Sequence, residues 1–327
     1  MSDPFREGGR SGRDRRDPRT AERVGIGASA TGAVLFGSSY VATAFVLRSF
    51  PPLGAAAWRG LLATLALGIV LGAGGLGPRP SRPTGPQLAR LIVLALTGGL
   101  VFIVLMNTAV QDAGPTITSF VAGLYAVLAA VLAPVVLREG LSRAAVIGFV
   151  LALVGTLLLA ELHATSSTLT GVLVGLGAAV SYALFLVLSR RWSVPWRLSG
   201  PVVTFGTVVA TGVPLAAWLL ATDPAALLPA HPRTDALLAL GWLAIFPGVV
   251  AVTLIVIGVQ RLDARRSSAF LLLNPVAAAL LSWLLLGEGL SPSQFVGAAL
   301  VLAGIASASG AVSWAASSVR DWRGAAT

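Results

Sequence analysis

Along this chain, runs of about 20 apolar residues alternate with short polar breaks, and a helix of that length crosses the ~30 Å hydrocarbon layer of a bilayer. Ten such runs are read near residues 30–49, 54–73, 88–110, 115–137, 143–162, 169–190, 199–221, 235–257, 266–287 and 293–313. The breaks carry turn chemistry: SFPP at 49–52, GPRPSRPTGP at 77–86, DAGP at 112–115, and the Asp223-Pro224 pair. The pattern predicts an all-α integral membrane protein with ten transmembrane helices.

A repeat underlies this ladder. LREGLSRAAVIGFVLALVGT at 137–156 matches LGEGLSPSQFVGAALVLAGI at 286–305 in nine of twenty positions, pairing Glu139 with Glu288, Ser142 with Ser291, Gly148 with Gly297 and Gly155 with Gly304. Upstream at the same offset of 149, Gln111 meets Gln260 and Ser119 meets Ser268. At the front of each half, Ser39-Tyr40 matches Ser181-Tyr182. Each half holds five helices, and an odd number turns the second copy upside down. Arginine obeys the inversion: REGLSR carries two and its partner GEGLSPS none, whereas QDAGP carries none and its partner RLDARR three. The expected organisation is a disordered tail at 1–27, a first repeat at 28–162, an inverted second repeat at 169–313, and a C-terminal tail at 314–327.

Composition supports a lipid environment. Hydrophobic residues make up 56% of the chain and charged ones only 11%, with a mean hydropathy of +0.85, too little polar surface for a soluble fold of 327 residues. The formal net charge of +10 comes entirely from arginine. Twenty of the 23 arginines fall in the N-terminal tail or in breaks on its side of the ladder, only Arg48 and Arg233 fall opposite, and Arg59 lies inside a span. This is a topology signal, with both termini expected on the cytoplasmic side of the cell membrane, and not a nucleic-acid patch. Trp58, Trp218, Trp242 and Trp283 near outer ends, and Trp192, Trp196, Trp314 and Trp322 near cytoplasmic ends, read as two interfacial belts. The N-terminal tail lacks an apolar core close behind its first charges and is expected to be retained.

With no cysteine, thiolate chemistry and disulfides are excluded. His163 and His231 stand far apart in expected loops, so no metal site and no cofactor are expected.

FGSSYVATAFVLR at 36–48 and VQRLDARRSSAFLLLNPVAAALLSWLLLGEGLSPSQFVGAALVLAG at 259–304 resemble the drug/metabolite transporter superfamily, in the branch built from two five-helix EamA domains. The resemblance covers residues 28–313 and implies ten helices, alternating access and a cavity between the halves. Two positions depart from the pattern: Ala126 stands where Pro275 has its counterpart, and Arg138 replaces the glycine expected before Glu139.

No Asp or Glu falls in the central part of any span, which argues against a carboxylate-based cation pump. Glu139 and Glu288 sit at helix ends, where capping the following turn is the simpler role. Arg59 is the only charge within a span; it either snorkels outward beside Trp58 or grips an anionic substrate group. Tyr40, Asn107, Tyr125, Tyr182 and Asn274 complete the candidate substrate-binding set, each open to the alternative of interhelical hydrogen bonding. Tyr125 and Asn274 hold equivalent positions and are expected to face one central cavity. A membrane enzyme would need a nucleophile with its base, and none is visible. The expected function is secondary transport of a small polar or zwitterionic, amino-acid-like metabolite across the cytoplasmic membrane, with export the expected direction; broad drug efflux and a receptor or scaffold are the alternatives. The expected partners are a small-molecule substrate and membrane lipid, with the proton as candidate coupling ion and no nucleic acid.

Overall fold

A computed structural model of the chain describes residues 18–72, 84–138, 140, 142–159, 166–196, 200–251, 253–255, 270 and 272–309. The helices are α1 (Pro18–Val46), α2 (Pro52–Gly72), α3 (Gly85–Ala95), α4 (Val101–Gly123), α5 (Tyr125–Leu137), α6 (Arg143–Leu159), α7 (Ser166–Trp196), α8 (Gly200–Thr222), the short α9 (Pro224–Leu227), α10 (Thr234–Ile245), α11 (Leu273–Leu286) and α12 (Pro292–Ser309). Two π-helical turns, Leu96–Leu100 and Phe246–Ala251, follow α3 and α10. No strand occurs among the described residues.

Six helical stretches are individually long and apolar enough to cross a membrane. One of them, Gly85–Leu137, contains two spans, because α4 is broken at Gly114 (φ 79°, ψ 162°), a conformation that essentially only glycine adopts. Resolving it into two and adding the three shorter apolar helices α6, α11 and α12 gives ten spans among the described residues. Leucines, valines and aromatics such as Leu65, Leu173, Leu238, Trp283 and Phe295 stand exposed around the bundle, where lipid rather than protein covers them.

The first helix begins at Pro18, ten residues inside the stretch expected to be a disordered tail. Proline suits the first helical turn, since its missing N–H would have had no intrahelical partner, and the span is extended beyond its apolar part. Residues 1–17 and 310–327, including Trp314 and Trp322, lie outside the described residues, as do His163 and Glu139. His231 is an exposed loop residue.

Capping falls to the duplicated serines. The Ser142 hydroxyl accepts from the Ala145 N–H (3.1 Å), while the Ser291 hydroxyl accepts from the Gln294 N–H (3.2 Å) and Gln294 Oε1 accepts from the Ser291 N–H (3.1 Å). Glu288, expected to organise its own turn, instead reaches across to the start of the fourth span, where its carboxylate accepts from the Thr116 hydroxyl (3.2 Å). A Cβ placed at Gly114 would lie 3.3 Å from Glu288 Oε1. Arg138 takes the left-handed conformation (φ 58°) at the C-terminus of α5, as Gly287 does (φ 71°) at the C-terminus of α11. The turn geometry therefore survives the substitution of glycine.

The halves pack with two-fold regularity. A Cβ at Gly148 would lie 2.6 Å from the Gly304 carbonyl oxygen, and one at Gly155 would lie 2.6 Å from that of Gly297; the reciprocal approaches are 2.6 and 2.7 Å. Since Gly148 is the counterpart of Gly297 and Gly155 of Gly304, each glycine meets the counterpart of the other, the signature of a two-fold contact. Small residues let the α6 and α12 backbones approach this closely. Between α2 and α8, Gly60 and Gly212 press directly against each other. The approach is reciprocal, and the offset of 152 that pairs these two glycines also pairs Gly54 with Gly206, so we take them as counterparts meeting at the pseudo-axis.

The ends of the bundle are sorted as the arginine pattern requires. At one end, Arg48 and Asp235 form an ion pair (2.9 Å), and the Arg233 N–H donates to the Ser49 hydroxyl (2.9 Å). At the other, Arg191 donates to the Val136 carbonyl (2.8 Å) and the Arg90 guanidinium lies over the Trp192 ring.

Candidate functional site

A cavity of about 150 Å³ opens between the halves. From α2, Ala56, Arg59, Gly60 and Ala63 line it, the spacing of one helical face. From α8, Thr207, Val208 and Thr211 line it in the same way. At the offset of 152 fixed by Gly60 and Gly212, Ala56 is the counterpart of Val208 and Arg59 of Thr211. Both π-helical turns reach the wall, through Gly98-Gly99 and Pro247-Gly248, and these pairs are counterparts at the offset of 149. The cavity thus straddles the pseudo-axis, and Arg59 is the residue that breaks its symmetry in charge. Phe36, Phe102, Ile103, Tyr182 and Phe185 complete the wall.

Each π turn inserts an extra residue per turn and displaces the backbone from regular hydrogen bonding. At the first, the Ser181 hydroxyl donates to the Thr97 carbonyl (2.8 Å), tying α7 to the distorted turn. Glycine is required by crowding: a Cβ at Gly98 would strike the Phe185 ring, and one at Gly99 would lie 2.6 Å from Thr211 Oγ1.

Arg59 does not snorkel. It is only 9% exposed, it faces the cavity, and its Nη1 is buried without a hydrogen-bond partner. Its neighbour Trp58 turns the other way, donating from its indole N–H to the Leu227 carbonyl (2.7 Å). Tyr40 and Tyr182, themselves counterparts, stand close enough to Arg59 to interact with it electrostatically. The Tyr40 hydroxyl is buried and unpartnered.

Tyr182 links the cavity to the remaining candidates. Its ring packs on Phe102 (centroids 4.5 Å apart), on Phe185 (5.3 Å) and edge-on against Tyr125 (4.9 Å). Asn274 lies beside Tyr125, close enough to act on its hydroxyl, and its own Oδ1 is buried without a hydrogen-bond partner. Tyr125 and Asn274 therefore meet each other behind Tyr182 and are not part of the cavity wall. The reason is the approach of α1: a Cβ at Gly37 would overlap the Asn274 carbonyl oxygen. Asn107, one turn along α4 from the wall residue Ile103, donates to the Pro52 carbonyl (3.0 Å) and holds the start of α2. Tyr40, Arg59, Tyr125, Tyr182 and Asn274 thus form one connected group, with Asn107 set apart from it.

Sequence reasoning marks Pro247 as a mid-span residue able to break helix hydrogen bonding, but does not find Thr211, the Gly98-Gly99 pair, Gly248 or the three phenylalanines. Extending the repeat alignment upstream at the offset of 149 would have paired the two π turns. The fourth and ninth spans are each interrupted just before Tyr125 and Asn274, at Leu124 and Leu272. Breaks at matching depth persist although only the ninth span has a proline there.

Ten spans in two inverted halves around a cavity on their shared axis define a membrane transporter. The chain belongs to the EamA-like transporter family, whose model matches residues 23–160 and 169–310. It is similar to the uncharacterized transporter YyaM of Bacillus subtilis (strain 168), 26% identical over 86% of this chain and 92% of that one. It is also similar to the protein PecM of Dickeya dadantii (strain 3937), 27% identical over 83% of this chain and 87% of that one. One crystal structure of another protein has the same fold, with a TM-score of 0.61 and 23% identity over 89% of this chain and 96% of that one.

Proposed function

We propose that this protein is a secondary transporter of the cytoplasmic membrane that moves a small polar metabolite by alternating access, with the cavity beside Arg59 as its transport site and both termini in the cytoplasm. The observation that carries this reading is the buried Arg59 guanidinium, facing a cavity on the pseudo-axis with one nitrogen unpartnered. Keeping such a charge in a bundle core is costly unless a ligand or water meets it, so intramembrane ionisable residues mark substrate paths. Alternating access is supported by the lining: counterpart turns and helices from both inverted halves meet there, so exchanging their conformations turns the same site toward the opposite side. The arginine distribution supports the orientation.

The test is counterflow in proteoliposomes loaded with a panel of metabolites, with the imposed gradient reversed to read direction and a pH gradient added to read proton coupling. Accelerated exchange of at least one solute is expected, reduced by Arg59→Gln at unchanged expression. Equal exchange by wild type and variant would remove the cavity from the transport path.

A further inference from the structure

The wall of the cavity is lopsided in its chemistry. One cation faces it, and among the described residues no carboxylate does. None of the chain's thirteen acidic residues falls in the middle of a span. The other polar side chains of the wall are the hydroxyls of Tyr182, Thr207 and Thr211, and Thr211 already donates to the Thr207 carbonyl (2.8 Å). Everything else is apolar: three phenylalanine rings, Ile103, Val208, alanines, glycines and Pro247.

Size sharpens the picture. About 150 Å³ is the volume of the engineered apolar cavity that accepts a benzene ring. A single six-membered ring matches that volume, and Arg59 is the charged group of the wall that a carboxylate on the ring would meet. The guanidinium offers a planar fork matched to a carboxylate, and its charge makes those hydrogen bonds about twice as strong as neutral ones. An ammonium group in the same space would meet a like charge and no acidic partner, and would lose its hydration on entry.

We infer that the cavity selects organic monocarboxylates with a single flat apolar ring, recognised through Arg59, and discriminates against amines and against zwitterions carrying an ammonium next to the carboxylate. This rests on the cavity being the transport site, and it narrows the polar metabolite of that reading to a carboxylate without an ammonium group.

Isothermal titration of the purified full-length protein with phenylacetate, phenylalanine and phenethylamine tests it, since binding in detergent avoids the leak of weak acids through lipid. Phenylacetate should bind, phenylalanine should bind at least about tenfold more weakly, and phenethylamine should give no heat; tenfold corresponds to about 1.4 kcal/mol, the low end of what a lost charged hydrogen bond costs. Arg59→Gln should weaken phenylacetate roughly 10- to 100-fold, with Arg59→Lys in between. Its melting temperature without ligand should be at or above that of wild type, because an uncompensated buried charge is gone.

Phenylalanine or phenethylamine binding as tightly as phenylacetate overturns the inference, as does unchanged phenylacetate affinity in Arg59→Gln. Absence of binding by all three also overturns it. In that event, counterflow of some other solute that still depends on Arg59 keeps the transport reading intact, whereas counterflow indifferent to Arg59 removes both. If Arg59→Gln fails to fold, the ranking of the three probes on wild type decides.

Discussion

Glu288 shows how one side chain is given a task by its neighbour and not by its own turn. Half-buried against the start of the fourth span, its carboxyl is pushed up from the ordinary glutamate range by burial, an effect partly opposed by the hydrogen bonds from Thr116. Folding therefore disfavours the ionised form, so the penalty is absent below the ordinary range, near 4.5, and grows as pH rises through the raised value. Glutamine keeps the acceptor for Thr116 and removes the charge. Glu288→Gln should thus melt at or above wild type at pH 7.5, with the gap closing by pH 4.5; a gap that widens toward acid would mean that attraction to the helix N-terminus outweighs burial. None of this was legible in sequence, where Glu288 and Glu139 read as symmetric cap residues. The contact is made where Gly114 turns the chain, at a position where a Cβ would crowd the carboxylate at 3.3 Å. Arg59 was legible, since a lone charge in an apolar run stands out, but the choice between snorkelling and facing inward was not: that depends on which face of α2 meets α8.

Among the elements, the α6–α12 seam is the most tightly constrained. Its glycines were readable as packing faces, because the repeat places them seven residues apart in both copies, although their partners were not. Gly155→Val should separate the helices and lower stability by about 1–3 kcal/mol, the usual cost of overpacking, read as a drop in melting temperature. Gly206→Ala makes the control, since a Cβ there has nothing within 4 Å and alanine favours helix. The π turns were hidden from the sequence because a π insertion leaves the hydrophobic periodicity of so apolar a run unchanged. The early start of α1 was hidden for the converse reason: polar residues that extend a span outward look the same as a tail.

For the whole molecule, the arginine segregation and the nine-in-twenty match already contained ten spans and the inversion, since both follow from bilayer thickness and from counting. The site was less accessible, because it forms only where the halves superpose. Superposition makes a specific demand: Arg59 and Thr211 face one another's positions across the axis, so the charge should function from either half. Arg59→Thr should abolish Arg59-dependent counterflow, and adding Thr211→Arg should restore a measurable part of it. A double variant that folds, by its melting curve, and recovers nothing would show that the two halves of the wall are not equivalent.

The glycine seam carries a last consequence, for descent. An interface in which every glycine meets its neighbour's counterpart is one that a half-length chain would form with an upside-down copy of itself. Such a chain would have needed to enter the membrane both ways round. After duplication that freedom has no further use, and the arginines of REGLSR and RLDARR, each set against an arginine-free counterpart in the other half, now write into one polypeptide the two orientations that an ancestor would have sampled by chance.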